Sequence, residues 1–339
     1  MTSNEALVPR RQPGELRADE GRADEVRLAG GRRAGGEAAA VDAGFAHARA
    51  AFLWACGMDV AVRKPGNVSV ASAGHDMSAR QFLHSARVSA AALFDARLAP
   101  GARLEAAARA TREAVGCNTN LGILLLCAPL ACAVERQPAA DPAALRDALR
   151  VVLRGLDLDD ARAAYRAIAI ASPGGLGSAE AQDVATEPSV DLRAAMALAA
   201  HRDLIARQYA EDYAQVFGLG LDAFAGSVRA PLAQRVQAVY LAWLATWPDS
   251  HIVRKYGEAQ ARAVCAEALP WRERLAREPA AADGQAFADW DASLKARGLN
   301  PGTSADLTVC TLFIAALLNP VLLDERLPDM PAVDWNEAC

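Results

Sequence analysis

Five short stretches of this chain carry side chains that could do chemistry, and each lies at or near the start of a helical pattern. Lys64-Pro65-Gly66-Asn67-Val68-Ser69 is followed closely by His75 and Asp76. Asn118-Thr119-Asn120-Leu121-Gly122 runs into a wholly apolar segment, and Pro173-Gly174-Gly175-Leu176-Gly177 precedes Asp183. Pro248-Asp249 stands before Arg254-Lys255, and Asn300-Pro301-Gly302-Thr303-Ser304-Ala305-Asp306 opens the last apolar stretch. Lys and Arg are cations for phosphate groups, and Asn, Ser and Thr offer donors and acceptors. Asp can hold a divalent cation or do acid-base work. Each stretch alone has an ordinary reading as a cap, a turn or a solvated ion pair. Gathered at one face of a helical body, they would grip a single polyphosphate ligand.

The elements that must position them are helices. The anchor is Leu121 to Val134, an apolar run of 14 residues. That is too short to span a bilayer and suits a helix buried on all sides. Asn118, Thr119 and Asn120 are good N-cap types, and a buried helix start offers N–H groups and a positive dipole end to an anion. Upstream, Val41, Phe45, Ala48, Phe52, Ala55 and Met58 recur at helical spacing within 37–62, which ends before Lys64-Pro65-Gly66. Further helices are expected over 78–98, 102–115, from Pro142 to Leu153, and over 158–171 behind Asp157 as cap. Residues 191–217 read as one long helix or two, followed by helices at 229–247, 251–269, 282–297 and up to Leu318. In that reading Asp249 or Ser250 caps the helix that begins at His251, and Arg254 and Lys255 stand at its start, where cations oppose the dipole. The Gly-rich turn at 173–177 can bring backbone close to a ligand but lacks the Lys-Ser/Thr of a P-loop.

Strand signals are nearly absent, and aromatics make up only 6%. The expectation is an all-α fold, a single multi-helix bundle domain of about ten to twelve helices over 37–319. Residues 1–36, rich in charge and Gly, are expected to form a disordered leader, and 320–339 a surface tail. Hydrophobic residues make up 53%, ample for a core, and the net charge of −5 argues against a nucleic-acid partner. No segment is a membrane span, and seven unpatterned Cys read as free thiols of a reducing compartment. A cytoplasmic location, and a homodimer as one possible state, complete that reading.

The five stretches, in this order, resemble the motif set of the triphosphoribosyl-dephospho-CoA synthase family, over about residues 40–318. The resemblance implies an all-α transferase in coenzyme biosynthesis that uses ATP, with Mg²⁺, as a glycosyl donor. The ribosyl carbon would pass to the 2′-hydroxyl of 3′-dephospho-CoA, adenine would leave, and the triphosphate would be kept. On that basis Asp76, Asp183, Asp249 and Asp306 are candidate metal ligands, and Asp183, Asp306, His75 and Asp76 are candidate catalytic groups. Lys64, Arg254 and Lys255 would hold phosphates. Asn67, Ser69, Asn118, Thr119, Asn120, Gly174 and Gly175 would contact the nucleotide.

The citrate-lyase branch of that family has Asn-Thr-His-Lys-Gly where this chain has Asn118-Thr119-Asn120-Leu121-Gly122. Its Ser-Pro-Gly-Gly-Ser-Ala-Asp stands where this chain has Asn300 to Asp306, while Gly74-His75-Asp76-Met77 is similar to its Gly-Ala-His-x-Asp-Met. This form resembles the divergent branch of methanogens and methylotrophs. The alternative is therefore a related ATP-using transferase, or a nucleotide-binding protein, in C1-carrier (methanopterin- or methanofuran-type) cofactor synthesis.

Overall fold

In the computed structural model the described residues are 45–136, 141–172, 181–325 and 327. The expected leader, Gly174 and Gly175 lie outside them. The described residues all fall in one compact unit.

Two apolar helices set the core. They are α4 (Leu121–Arg136) and α14 (Gly302–Leu318), each buried along nearly its whole length and packed against the other. Pro129 inside α4 has no N–H for the carbonyl of Leu125, and a buried carbonyl left without a donor is costly. The Tyr209 hydroxyl supplies that donor at 2.6 Å, and the Tyr213 hydroxyl donates to the next carbonyl, Leu126, at 3.0 Å. The central helix is thereby fastened at its proline to residues 209 and 213.

Around this pair lie α1 (45–61), α2 (Ala79–Leu93), α3 (Pro100–Val115), α5 (Pro142–Gly155) and α6 (Leu158–Ala171). They are followed by α7 (Leu192–Ala199), α8 (Leu204–Ala210), α9 (Leu221–Gly226) and α10 (Leu232–Leu244). The remaining helices before α14 are α11 (Ser250–Tyr256), α12 (Glu258–Arg277) and α13 (Gln285–Ala296). Fourteen α-helices thus appear among the described residues, slightly above the ten to twelve read from sequence, with no strand. The 62–78 loop carries only isolated bridges, Ser69 with Ser72 and Gly74 with Met77. No described helix is long and apolar enough to cross a membrane.

The extra helices come from breaks that apolar periodicity does not register. The stretch read as 191–217 divides into α7, α8 and a π-helical turn at Val216–Gly220, with Asp203 capping α8 through Ile205 and Ala206. The stretch read as 251–269 breaks at Gly257, whose φ of 84° is left-handed and suits glycine. Because α11 ends there, Arg254 and Lys255 sit in its last turn. Their charges complement the helix dipole and do not oppose it, the reverse of the arrangement expected from sequence.

Candidate active site

One cavity of about 440 Å³ opens between α4, α8, α11 and α14, a size typical of small-ligand sites. Of the residues singled out from sequence, Asn67, Asn118, Thr119, Asn120, Asp183, Arg254 and Asp306 line it. They come from all five stretches.

Its geometry begins with a shared helix cap. Asp249 is fully buried, and its Oδ1 accepts from the backbone N–H groups of His251 (2.9 Å) and Ile252 (3.2 Å) at the start of α11. Its Oδ2 accepts from the Ser304 backbone N–H (2.7 Å) and hydroxyl (2.8 Å) in the first turn of α14. Burial raises the Asp249 carboxyl, and the Ser304 and Ile252 donors pull it back. One carboxylate therefore pins two helix starts together and fixes the relation of His251 and Arg254 on α11 to Asp306 on α14. Asp249 was expected to bind metal. Its oxygens are committed to four donors and it does not line the cavity, so its place is structural.

Asp306 lies one turn into α14, against the first turn of α4. A Cβ built on Gly122 would stand 2.0 Å from its Oδ2 and 2.8 Å from Ile205 Cδ1. Glycine at 122 is therefore a requirement of close approach, which is how the motif starting α4 meets the motif starting α14. Burial drives the Asp306 carboxyl well above the ordinary carboxylate range, helped by the charges of Asp59 and Asp249. Among the described residues none donates a hydrogen bond to it.

Asp59, near the end of α1, also lines the cavity. It is 3% exposed, and Lys64 Nζ stands 3.0 Å from its Oδ1 and also donates to its backbone carbonyl. Burial pushes the Asp59 carboxyl up and the Lys64 ammonium pulls it back. Lys64, expected at a phosphate, is wholly buried behind Asp59 and does not line the cavity.

The loop after α1 is held rigidly. Gly66 has a φ of 83°, its N–H donates to Asp291 Oδ1 at 2.8 Å, and a Cβ would meet the Leu299 carbonyl and Pro301 at 2.8 Å. The Tyr240 hydroxyl donates to the Pro65 carbonyl at 2.7 Å. That packing delivers Asn67, whose Nδ2 donates to Asn300 Oδ1 at 3.0 Å, and both amides line the cavity. Ser69, His75 and Asp76 lie outside the lining: Ser69 is buried in the loop, His75 Nε2 is 2.8 Å from the Gly66 carbonyl, and Asp76 is exposed. Lys255 is exposed and away from the cavity.

Before α4, Asn118 Oδ1 accepts from the Leu121 N–H at 3.1 Å, the cap its type suggested. Asn120 is buried; its Oδ1 accepts from the Thr111 hydroxyl and its Nδ2 donates to Ser89. Leu121 packs in the core. Thr119 pairs with the Ser85 hydroxyl. Asp183 follows α6 on the wall that carries Tyr165, and its Oδ1 accepts from the Ala185 N–H.

Several lining residues were not read as site residues. Asp59, Arg202, Asp203, His251 and Asn300 all face the cavity. Asp203 bonds Arg254 Nη1 at 2.7 Å while capping α8. The wall formed by α6 and α7 is mostly apolar, with Ile168, Leu192, Ala195 and Met196. The cavity thus has a charged end and an apolar side, a division suited to a polyphosphate joined to a flat hydrophobic ring. A carboxylate inside an apolar stripe, as Asp59 is, was the one legible signal among the residues passed over.

Residues 45–323 match the sequence profile of the CitG family, ATP:dephospho-CoA triphosphoribosyl transferase. Among curated proteins none matches the chain. A crystal structure from Archaeoglobus fulgidus, described as a candidate triphosphoribosyl-dephospho-CoA synthase, shares the fold with a TM-score of 0.54. The two are 20% identical, over 70% of this chain and 99% of that one.

Proposed function

The chain belongs to the ATP:dephospho-CoA triphosphoribosyl transferase family, and we propose that the cavity bounded by α4, α8, α11 and α14 is where that family's reaction runs. The enzyme is a transferase that moves the triphosphoribosyl group of ATP onto dephospho-CoA. The observation that carries the site assignment is the meeting of Asp306 with Gly122, which brings two of the five motifs into contact at the cavity wall.

In this reading Arg254 and Arg202 hold the triphosphate at the charged end, and the purine lies along the α6–α7 wall. Asn67, Asn118 and Asn300 orient ribose and phosphate oxygens. The bond between C1′ of the ATP ribose and N9 of adenine breaks, and its electron pair leaves with adenine. The 2′-oxygen of dephospho-CoA forms the new bond to C1′, its proton passes to the Asp306 carboxylate, and the departing adenine takes up a proton from solvent. A carboxylate whose proton affinity burial has raised is a better base than an exposed one. Asp183 supplies negative charge for the positive sugar carbon, as carboxylates do in glycoside hydrolysis.

The residues also fit Mg²⁺. Asp59 is a hard oxygen donor on the cavity wall, near Asp306 without sharing its proton-accepting role. Mg²⁺ is commonly held by one or two carboxylates and completed by substrate phosphates. Among the described residues no cluster of three or more acidic, His or Cys side chains is arranged to hold an ion, which leaves that completion to the triphosphate. When bound, the ion would offset the charge between carboxylates and phosphates, and Lys64 would keep Asp59 ionised and aimed. The cytoplasm is the matching location, since it supplies ATP and keeps the six described cysteines as free thiols.

The test is incubation with ATP, Mg²⁺ and dephospho-CoA, followed by chromatography for adenine. Adenine released in step with loss of dephospho-CoA supports the reading, and ADP or phosphate without adenine contradicts it.

A further inference from the structure

His251 is the second residue of α11, three before Arg254, so both face the cavity from one side of the helix. Its backbone N–H is held by Asp249. A Cβ built on Gly302 would stand 3.0 Å from the imidazole Nδ1, so the ring packs flush on the start of α14. Its Nε2 is buried and has no hydrogen-bond partner among the described residues. An unpartnered buried polar atom is costly, and at the wall of a substrate cavity it marks a place where the ligand supplies the partner.

We propose that His251 is a positioning residue for the transfer, its Nε2 hydrogen-bonding a hydroxyl of the ATP ribose. This rests on the reading of the cavity as the ATP site. Phosphate would favour a protonated ring, yet burial with Arg254, Lys255 and His75 nearby pushes the imidazole down to about 3. A neutral imidazole offers one donor or one acceptor and suits an uncharged oxygen. In that reading the purine has the apolar α6–α7 wall and Arg254 the phosphates, whereas His251, one turn before Arg254, packs on Gly302, one turn before Asp306. The ribose carries the reacting C1′, which Asp306 serves in that reading, so a neutral donor or acceptor packed one turn before Asp306 suits a ribose hydroxyl.

The test combines substrate analogues on the unaltered enzyme with two variants, His251→Gln, which keeps an N–H, and His251→Leu, which does not. Adenine or its analogue is measured as released base, with 2′-deoxy-ATP, 3′-deoxy-ATP and 7-deaza-ATP compared with ATP. The expected result is that one deoxy analogue loses about tenfold or more in kcat/KM with the unaltered enzyme and little further with His251→Leu. His251→Gln should recover part of the loss with ATP, which a purely structural role would not produce. Equal losses for every analogue in the variants, or a selective loss with 7-deaza-ATP, overturn the assignment to ribose. If the variants fail to fold, unchanged rates for both deoxy analogues with the unaltered enzyme overturn it alone. Absence of base release from ATP by the unaltered enzyme removes the ATP-site reading itself.

Discussion

The Asp306 carboxylate occupies the space where residue 122 would carry a side chain: a Cβ on Gly122 would lie 2.0 Å from Oδ2. Two motifs separated by more than half the length of the chain thus meet atom to atom. Gly122→Ala must push Asp306 or the start of α4 aside, and a displacement near 1 Å of a reacting group can cost about 100-fold in rate. The expected outcome is at least that loss in adenine release, with far-UV circular dichroism unchanged.

Asp306→Asn keeps the shape and removes the charge. If Asp306 takes the proton from the acceptor hydroxyl, turnover should fall by about 10²–10⁴-fold. The same variant should be no less stable than the parent in metal-free buffer, because the lost charge was disfavoured by burial and by Asp59 and Asp249. Urea unfolding and adenine release measured on one preparation check both halves.

Asp249 is expected to behave in the opposite way. It caps α11 and α14 through four donors, so Asp249→Ala should cost about 2–4 kcal/mol in unfolding free energy. Asp249→Asn, which retains one acceptor oxygen, should recover part of that. A stability loss below about 0.5 kcal/mol for the alanine variant would remove the shared-cap account, since even one cap is normally worth that much.

His251 gives a pH signature in stability. Its folded-state value is pushed down to about 3, against about 6.5 for an unperturbed imidazole. Between those values the unfolded chain binds a proton that the folded chain refuses, so this group's contribution is full above about 6.5 and is lost as pH falls toward 3. Unfolding free energy should therefore decline more steeply over that interval in the parent protein than in His251→Gln. Parallel curves would show that the ring is not held neutral.

Much of the architecture was open to reading because its causes are local. The apolar runs that became α4 and α14, the Pro142 start of α5 and the Asp157 cap of α6 follow from side-chain type and spacing. The break at Gly257 was not, because apolar periodicity continues across it, and missing it reversed the dipole argument at Arg254. Within the site, sequence found Asn118, Asp183, Arg254 and Asp306 because each stands beside a helix junction. It placed Lys64 and Asp249 at the ligand because a charged side chain in a motif looks the same whether it faces a cavity or another residue. Both are spent inside the protein, on Asp59 and on two helix starts. Asn120 differs from them: it lines the cavity while Thr111 and Ser89 hold its amide. His251 was passed over because nothing in the local pattern shows that distant helices open a cavity beside it, while Asp59 offered a signal in its apolar surroundings that was not taken up.

The most direct measurement follows dephospho-CoA by mass spectrometry in the presence of ATP and Mg²⁺, with the parent enzyme and Asp306→Asn side by side. The parent should convert it to an adduct carrying the triphosphoribosyl group, with one adenine released per adduct, and the variant should form both at least about 100-fold more slowly while still binding ATP. Adduct formation by Asp306→Asn at close to the parent rate would contradict the account.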